Sequence, residues 1–111
     1  MVNREVSRYG IYLADLDPPR GREIAKTRPV VVVSQGAMNR YLDTVVVCPL
    51  TTKLHSRWRS RIQCICAGRK AEIAVDQIRT VSKNRLGKRL GRLDALPAAR
   101  LRHLITEMYG E

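Results

Sequence analysis

The residues of this 111-residue chain best suited to chemistry are an arginine that opens one apolar run and a threonine that closes another. Arg28 stands near the start of Thr27-Arg28-Pro29-Val30-Val31-Val32-Val33-Ser34, and Thr51 near the end of Val45-Val46-Val47-Cys48-Pro49-Leu50-Thr51-Thr52. Both runs read as strands. If they pair antiparallel, the start of one lies beside the end of the other, and Arg28 and Thr51 can face one site. A guanidinium offers a planar fork of donors that fits phosphate oxygens, and a hydroxyl beside it adds another. Each residue also has a plainer reading. Arg28 can form a structural salt bridge to Asp17 or Glu23, and Thr51 can be an ordinary turn hydroxyl.

The overall charge also suggests a phosphate ligand. There are 21 Lys and Arg against 10 Asp and Glu, a net charge of +11. Such an excess points to a polyanionic partner, whether nucleic acid, an anionic membrane surface or an acidic protein, with nucleic acid or an acidic protein favoured over a merely solvated basic surface. The charge is clustered. Residues 51–70 carry Lys53, Arg57, Arg59, Arg61, Arg69 and Lys70 with no acid, and residues 79–102 carry eight basic residues against Asp94 alone. Trp58 lies between Arg57 and Arg59. A base can stack on it while the arginines meet flanking phosphates; alternatively the ring covers the core or meets a partner protein.

Other chemistries have less support. Cys48, Cys64 and Cys66 form an odd set that suits core thiols in a reducing compartment. His55, expected in solvent, and His103, expected to be structural, do not complete a metal-ligand spacing, so no metal or cofactor is expected. No run approaches the roughly 20 apolar residues needed to span a bilayer. The first residues lack the apolar core of a secretory leader. The expectation is a cytoplasmic protein with no membrane association.

The elements that must position these groups can be read along the chain, which should form one domain over 1–111. Tyr9–Asp15 reads as a first strand, followed by a punctuated polar loop to Lys26. Pro29–Ser34 is the second strand; its unbroken valines suggest burial on both faces. A turn or short helix over 36–41 leads to a third strand, Thr44–Leu50. A loop over 51–60 precedes a fourth, Arg61–Ala67, and Gly68-Arg69-Lys70 turns the chain. Glu72–Asp76 and Gln77–Val81 are short strands or one bent strand, Ser82 caps a helical turn, and Leu86–Leu93 is an edge strand. A final helix has Pro97 in its first turn, Leu101, Leu104, Ile105 and Met108 on one face, and Gly110 at its stop. The expected fold is mainly β with helices (α+β), a small antiparallel barrel-like sheet packed on the terminal helix.

Three segments in order resemble the MazF/PemK/Kid toxins. Tyr12-Leu13-Ala14-Asp15-Leu16-Asp17-Pro18, Gly21-Arg22-Glu23 and Thr27-Arg28-Pro29-Val30-Val31-Val32 together resemble the family's opening. Cys48-Pro49-Leu50-Thr51-Thr52 resembles its second motif, and Asp76-Gln77-Ile78-Arg79-Thr80 its third. The resemblance implies an SH3-like barrel and a homodimeric endoribonuclease of a type II toxin–antitoxin pair. Such a toxin cuts single-stranded RNA at short sequences without metal and is restrained by an antitoxin with an acidic tail. It implies that Arg28 and Thr51 are the catalytic pair, with Asp76 implicated as in some members. Two departures stand out: Arg22 where some members have His, and Ala74 where some have Arg.

RNA can be cut without metal because its 2′-OH is the nucleophile. The protein then has to stabilise the phosphorane and move protons. Arg28 supplies positive charge for the oxyanions, and Thr51 a donor to a non-bridging oxygen. Glu23 can accept a proton, pair with Arg28 or hold its loop. Asp76 can be a base, an RNA contact or a hinge between strands. Gln77 can read a base edge or face solvent. The expected site thus comprises Arg28, Thr51, Glu23 and Asp76 for catalysis, with Arg22, Lys53, Arg57, Trp58, Arg59, Gln77 and Arg79 holding RNA. Competing functions are a CcdB-like inhibitor of DNA gyrase and a non-catalytic, SH3-like RNA-binding module.

Overall fold

The computed structural model describes residues 5–16 and 26–110. Its strands are β1 (Gly10–Asp15), β2 (Thr27–Val32), β3 (Thr44–Thr51), β4 (Arg61–Cys66), β5 (Arg69–Ala74), β6 (Arg79–Ser82) and β7 (Leu86–Arg92). The helices are α1 (Gly36–Tyr41) and α2 (Ala95–Tyr109). All strand pairings are antiparallel, in the order β4-β5-β3-β2-β1-β7, with β6 also on β3. The sheet curls into a half-barrel with α2 beside it. Register shifts between β1 and β7 mark the irregularities that help a sheet bend.

The valine runs explain why the sheet is closed off on both sides. Val31 and Val33 join Cys48, Leu50, Ile73 and, from α2, Leu101 in one buried cluster. Val30 and Val32 join Tyr12, Leu16, Val45 and Val47 in a second, on the other face. Successive side chains of a strand point to opposite faces, so an unbroken apolar run serves two cores at once.

β3 is the central member. Along one edge its first half pairs with β6, as far as Val47↔Arg79, and its second half with β5, from Leu50↔Ile73. Cys48 and Pro49 occupy the handover. A proline, with no N–H to give, is tolerated inside a strand where one edge lacks a ladder partner.

Several boundaries differ from the sequence reading. The β4–β5 turn is Ala67-Gly68, with φ of 51° and 78°. Two left-handed residues make the tight hairpin turn that matches strand twist, and Arg69 and Lys70 therefore belong to β5. A single 3₁₀ turn over Val75–Gln77 separates β5 from β6. Ser82 caps as expected, its Oγ accepting from the Asn84 N–H at 3.3 Å. On α2, Leu101 and Leu104 are buried, but Met108 is exposed. Gly110 ends the helix with an extended backbone rather than a left-handed one. A Cβ there would lie 2.6 Å from the Thr106 carbonyl oxygen, so the glycine is needed for close approach.

Candidate active site

Strand register brings Arg28 and Thr51 together. β2 and β3 pair as Val30↔Pro49, Val31↔Cys48 and Val32↔Val47. Two residues further in that register, Arg28 lies across from Thr51. Both line one cavity of about 320 Å³, with Thr52, Arg69 and an apolar wall that includes Pro29, Leu50 and Leu90. Arg28 is exposed and Thr51 half-buried. The Thr51 Oγ1 accepts from the Lys53 N–H at 3.1 Å. That contact occupies a lone pair and leaves the hydroxyl proton to donate into the cavity. A volume of this order is at the small end of ligand pockets and fits one nucleotide unit.

The other sequence-predicted residues do not all converge there. Glu23 and Arg22 lie outside the described residues. Lys53 and Arg57 are exposed on the 51–60 loop. Arg59 lines a different hollow, against Arg100, His103 and Glu107 on α2. Gln77 and Arg79 are half-buried, on the 3₁₀ turn and on β6. Trp58 is half-exposed, and its ring already has a partner: His55 stacks on it with centroids 3.9 Å apart, and the Arg61 guanidinium carbon is 4.7 Å from its centre. His55, expected in solvent, is instead only partly exposed, with Nδ1 3.5 Å from Glu72 Oε2.

Asp76 is engaged by Arg61, whose Nε donates to its Oδ1 at 2.8 Å. It sits on the 3₁₀ turn after β5 and is not among the residues lining the Arg28 cavity. Partial burial works against its charge, but hydrogen bonds from Arg61 and Ser60 and the Arg61 charge outweigh it and hold the carboxyl below its ordinary range.

The sequence reading missed Glu72. This residue pairs across the ladder with Thr51 and is fully buried. Its carboxylate accepts from the His55 N–H at 2.7 Å, Gln63 Nε2 at 2.6 Å and Arg61 Nη1 at 2.9 Å. Burial favours the neutral acid, yet these donors and the Arg61 charge win and lower its pKa. Arg61 therefore bridges two carboxylates, and Glu72 ties the 51–60 loop to the sheet next to Thr51. The available signal was a lone acid inside the apolar run Ala71-Glu72-Ile73-Ala74.

The thiols are poor nucleophiles. Burial, with a smaller push from Asp76, raises Cys48 to about 12. Burial, then Cys66, raises Cys64 to about 11, and burial raises Cys66. Among the described residues no group of His, Cys, Asp and Glu could hold a metal, and no helix is long and apolar enough to cross a membrane.

Comparison with known proteins relates the chain and its fold to a wider set. Residues 7–109 match the family described as PemK-like, MazF-like toxin of type II toxin–antitoxin system. The endoribonuclease MazF of Staphylococcus saprophyticus is 34% identical over 85 residues, covering 72% of this chain and 71% of that protein. MazF from Deinococcus radiodurans superposes with a TM-score of 0.85 at 19% identity, over 97% of this chain and 99% of that one. A mycobacterial endoribonuclease solved in complex with its cognate antitoxin superposes at 0.73 with 22% identity, over 93% and 91%.

Proposed function

The chain belongs to the PemK-like, MazF-like toxins of type II toxin–antitoxin systems, and on that premise we propose that it is an endoribonuclease cutting single-stranded RNA without a metal ion. The observation that carries this reading is the shared cavity of Arg28 and Thr51. In the step it supports, the 2′-oxygen of one nucleotide bonds to the adjacent phosphorus and the bond to the 5′-oxygen breaks. The products are a 2′,3′-cyclic phosphate and a 5′-OH.

Arg28 holds the non-bridging oxygens as their charge grows, and Thr51 donates to one of them. Both act most strongly on the phosphorane, so they accelerate the reaction rather than merely retain RNA. The 2′-hydroxyl proton needs a base. Asp76 is a weak one, since Arg61 stabilises its charged form. Glu23, five residues before Arg28 in the chain, is the remaining carboxylate of the proposed site. The leaving 5′-oxygen takes its proton from water, because a guanidinium holds its proton too tightly to be a good acid.

The basic loop carrying Lys53 and Arg57 retains the strand, and an acidic antitoxin competes for the same charge. Two copies of the chain form the working unit, with RNA across both. The test is to incubate purified protein with long RNA in EDTA and map the new ends. Cleavage that leaves ends labelled by polynucleotide kinase without prior phosphatase supports the mechanism. A requirement for Mg²⁺, or 5′-phosphate ends, refutes it.

A further inference from the structure

A second arginine lines the cavity. Arg69 is the first residue of β5, directly after the Ala67-Gly68 turn, and it lines the same hollow as Arg28 and Thr51. Among the described residues its guanidinium makes no ion pair and no side-chain hydrogen bond. Two left-handed turn residues fix where it leaves the hairpin. For Ala67 that conformation is strained by about 1–2 kcal/mol, and such strain tends to gather at functional sites. The nearby wall contributed by Leu50, Cys66 and Leu90 is apolar and cannot neutralise the charge.

One phosphate does not need two forks. The hollow fits about one nucleotide unit, and a nucleotide within a strand has a phosphate at each end. We propose that Arg69 binds the phosphate adjacent to the scissile one, so that the cavity grips a single nucleotide between two guanidiniums. Arg28 then faces the phosphate that reacts and Arg69 the one that does not. This inference rests on the RNA-cleaving reading above and adds a positioning residue to it. Because Arg69 touches a group whose charge does not change in the reaction, it holds ground state and transition state alike. Its loss therefore raises KM and leaves kcat nearly unchanged.

The test uses a short RNA built around a mapped cleavage site, and two versions of it in which a neutral methylphosphonate replaces either the preceding or the following phosphate. Wild type, Arg69→Ala and Arg69→Lys are compared in EDTA. The expected result is a rise in KM of about tenfold for Arg69→Ala, the size of one lost charge-assisted contact, with partial rescue by Arg69→Lys. The slope of log KM against log salt should flatten by roughly 0.7, one phosphate contact on a single strand. One of the two methylphosphonates should weaken wild type about as much, and should have no further effect on Arg69→Ala. If both neutral phosphates weaken the variant as much as wild type, or if kcat falls instead of KM rising, Arg69 does not hold a neighbouring phosphate. Failure of wild type to cut unmodified RNA would instead remove the parent reading, and this inference with it.

Discussion

Replacing Arg61 with Met removes the charge that makes buried Glu72 tolerable. The substitution keeps the apolar stem of the side chain and removes its guanidinium, so the main loss is electrostatic. In wild type the Arg61 side chain is 4% exposed and that of Glu72 is 0%, whereas Asp76 is 32% exposed. The arm to Asp76 is partly screened by water and contributes little. The arm to Glu72 decides the outcome. Stripping one partner from a buried pair costs about 3–5 kcal/mol, because the other charge is left uncompensated. With a urea slope of roughly 1.5 kcal/mol/M, a loss of 3 kcal/mol lowers the unfolding midpoint by about 2 M.

The dependence on pH provides the sharper assay. Glu72 in wild type has a lowered pKa, so its contribution is present above the unfolded carboxylate pKa and is lost as pH falls through the folded value. In Arg61→Met, burial dominates and the carboxyl pKa rises. Protonation then favours the folded state, so the variant regains stability relative to wild type as pH falls from 7 to 5. Urea melts at several pH values read the difference. A shift under 0.5 M at pH 7, or a gap between the two proteins that does not narrow on acidification, would show that Arg61 is not what stabilises Glu72.

Four further outcomes follow from named contacts. Arg28→Ala and Thr51→Ala should each lower the cleavage rate by about 10²–10³, as for lost oxyanion donors, with unfolding midpoints close to wild type because neither side chain is in the core; urea melts beside rate assays check both. Asn39→Ala should cost about 2–3 kcal/mol in urea melts, since the buried Asn39 amide donates to the Val6 and Ser34 carbonyls and its oxygen accepts from the Ser34 hydroxyl. Cys48, raised to about 12 by burial, should resist iodoacetamide at pH 8 in the native protein and react in urea, as read by mass spectrometry. Sedimentation at micromolar concentration should show a particle of twice the 12.6 kDa chain mass; a particle of single-chain mass counts against the dimer.

What was legible in the sequence depended on how local the determinants are. The valine runs gave β2 and β3 because burial on both faces requires a continuous apolar pattern, and the antiparallel assumption then placed Arg28 by Thr51. The β4–β5 turn was displaced because Gly68 reads as its beginning, whereas the structure uses Ala67 as the first left-handed residue. Trp58 looked available for a base since sequence shows its basic neighbours but not His55 folding back onto its ring. Glu72 was hidden for a similar reason. Its partners His55, Arg61 and Gln63 come from the preceding loop and strand, and a carboxylate in an apolar run reveals nothing about them. Arg69 reads in the sequence as one basic residue among many, and only the hairpin places it on the wall of the cavity.

The handover on β3 bears on how the molecule comes apart. The β4–β5 hairpin joins the rest of the sheet through two register pairs, Leu50↔Ile73 and Thr51↔Glu72. β1, β2 and β3 share longer ladders backed by cores on both faces. Cooperative opening units tend to follow such seams, and the smaller attachment opens at lower free energy. Amide hydrogen exchange should therefore sort the chain into two classes, with β4 and β5 exchanging together and β2 with the first half of β3 protected up to the global limit. The cavity lies on that seam, with Arg28 on the slowly exchanging side and Arg69 on the faster one. Native-state fluctuations of the hairpin thus change the separation of its two cations while the central strands stay closed.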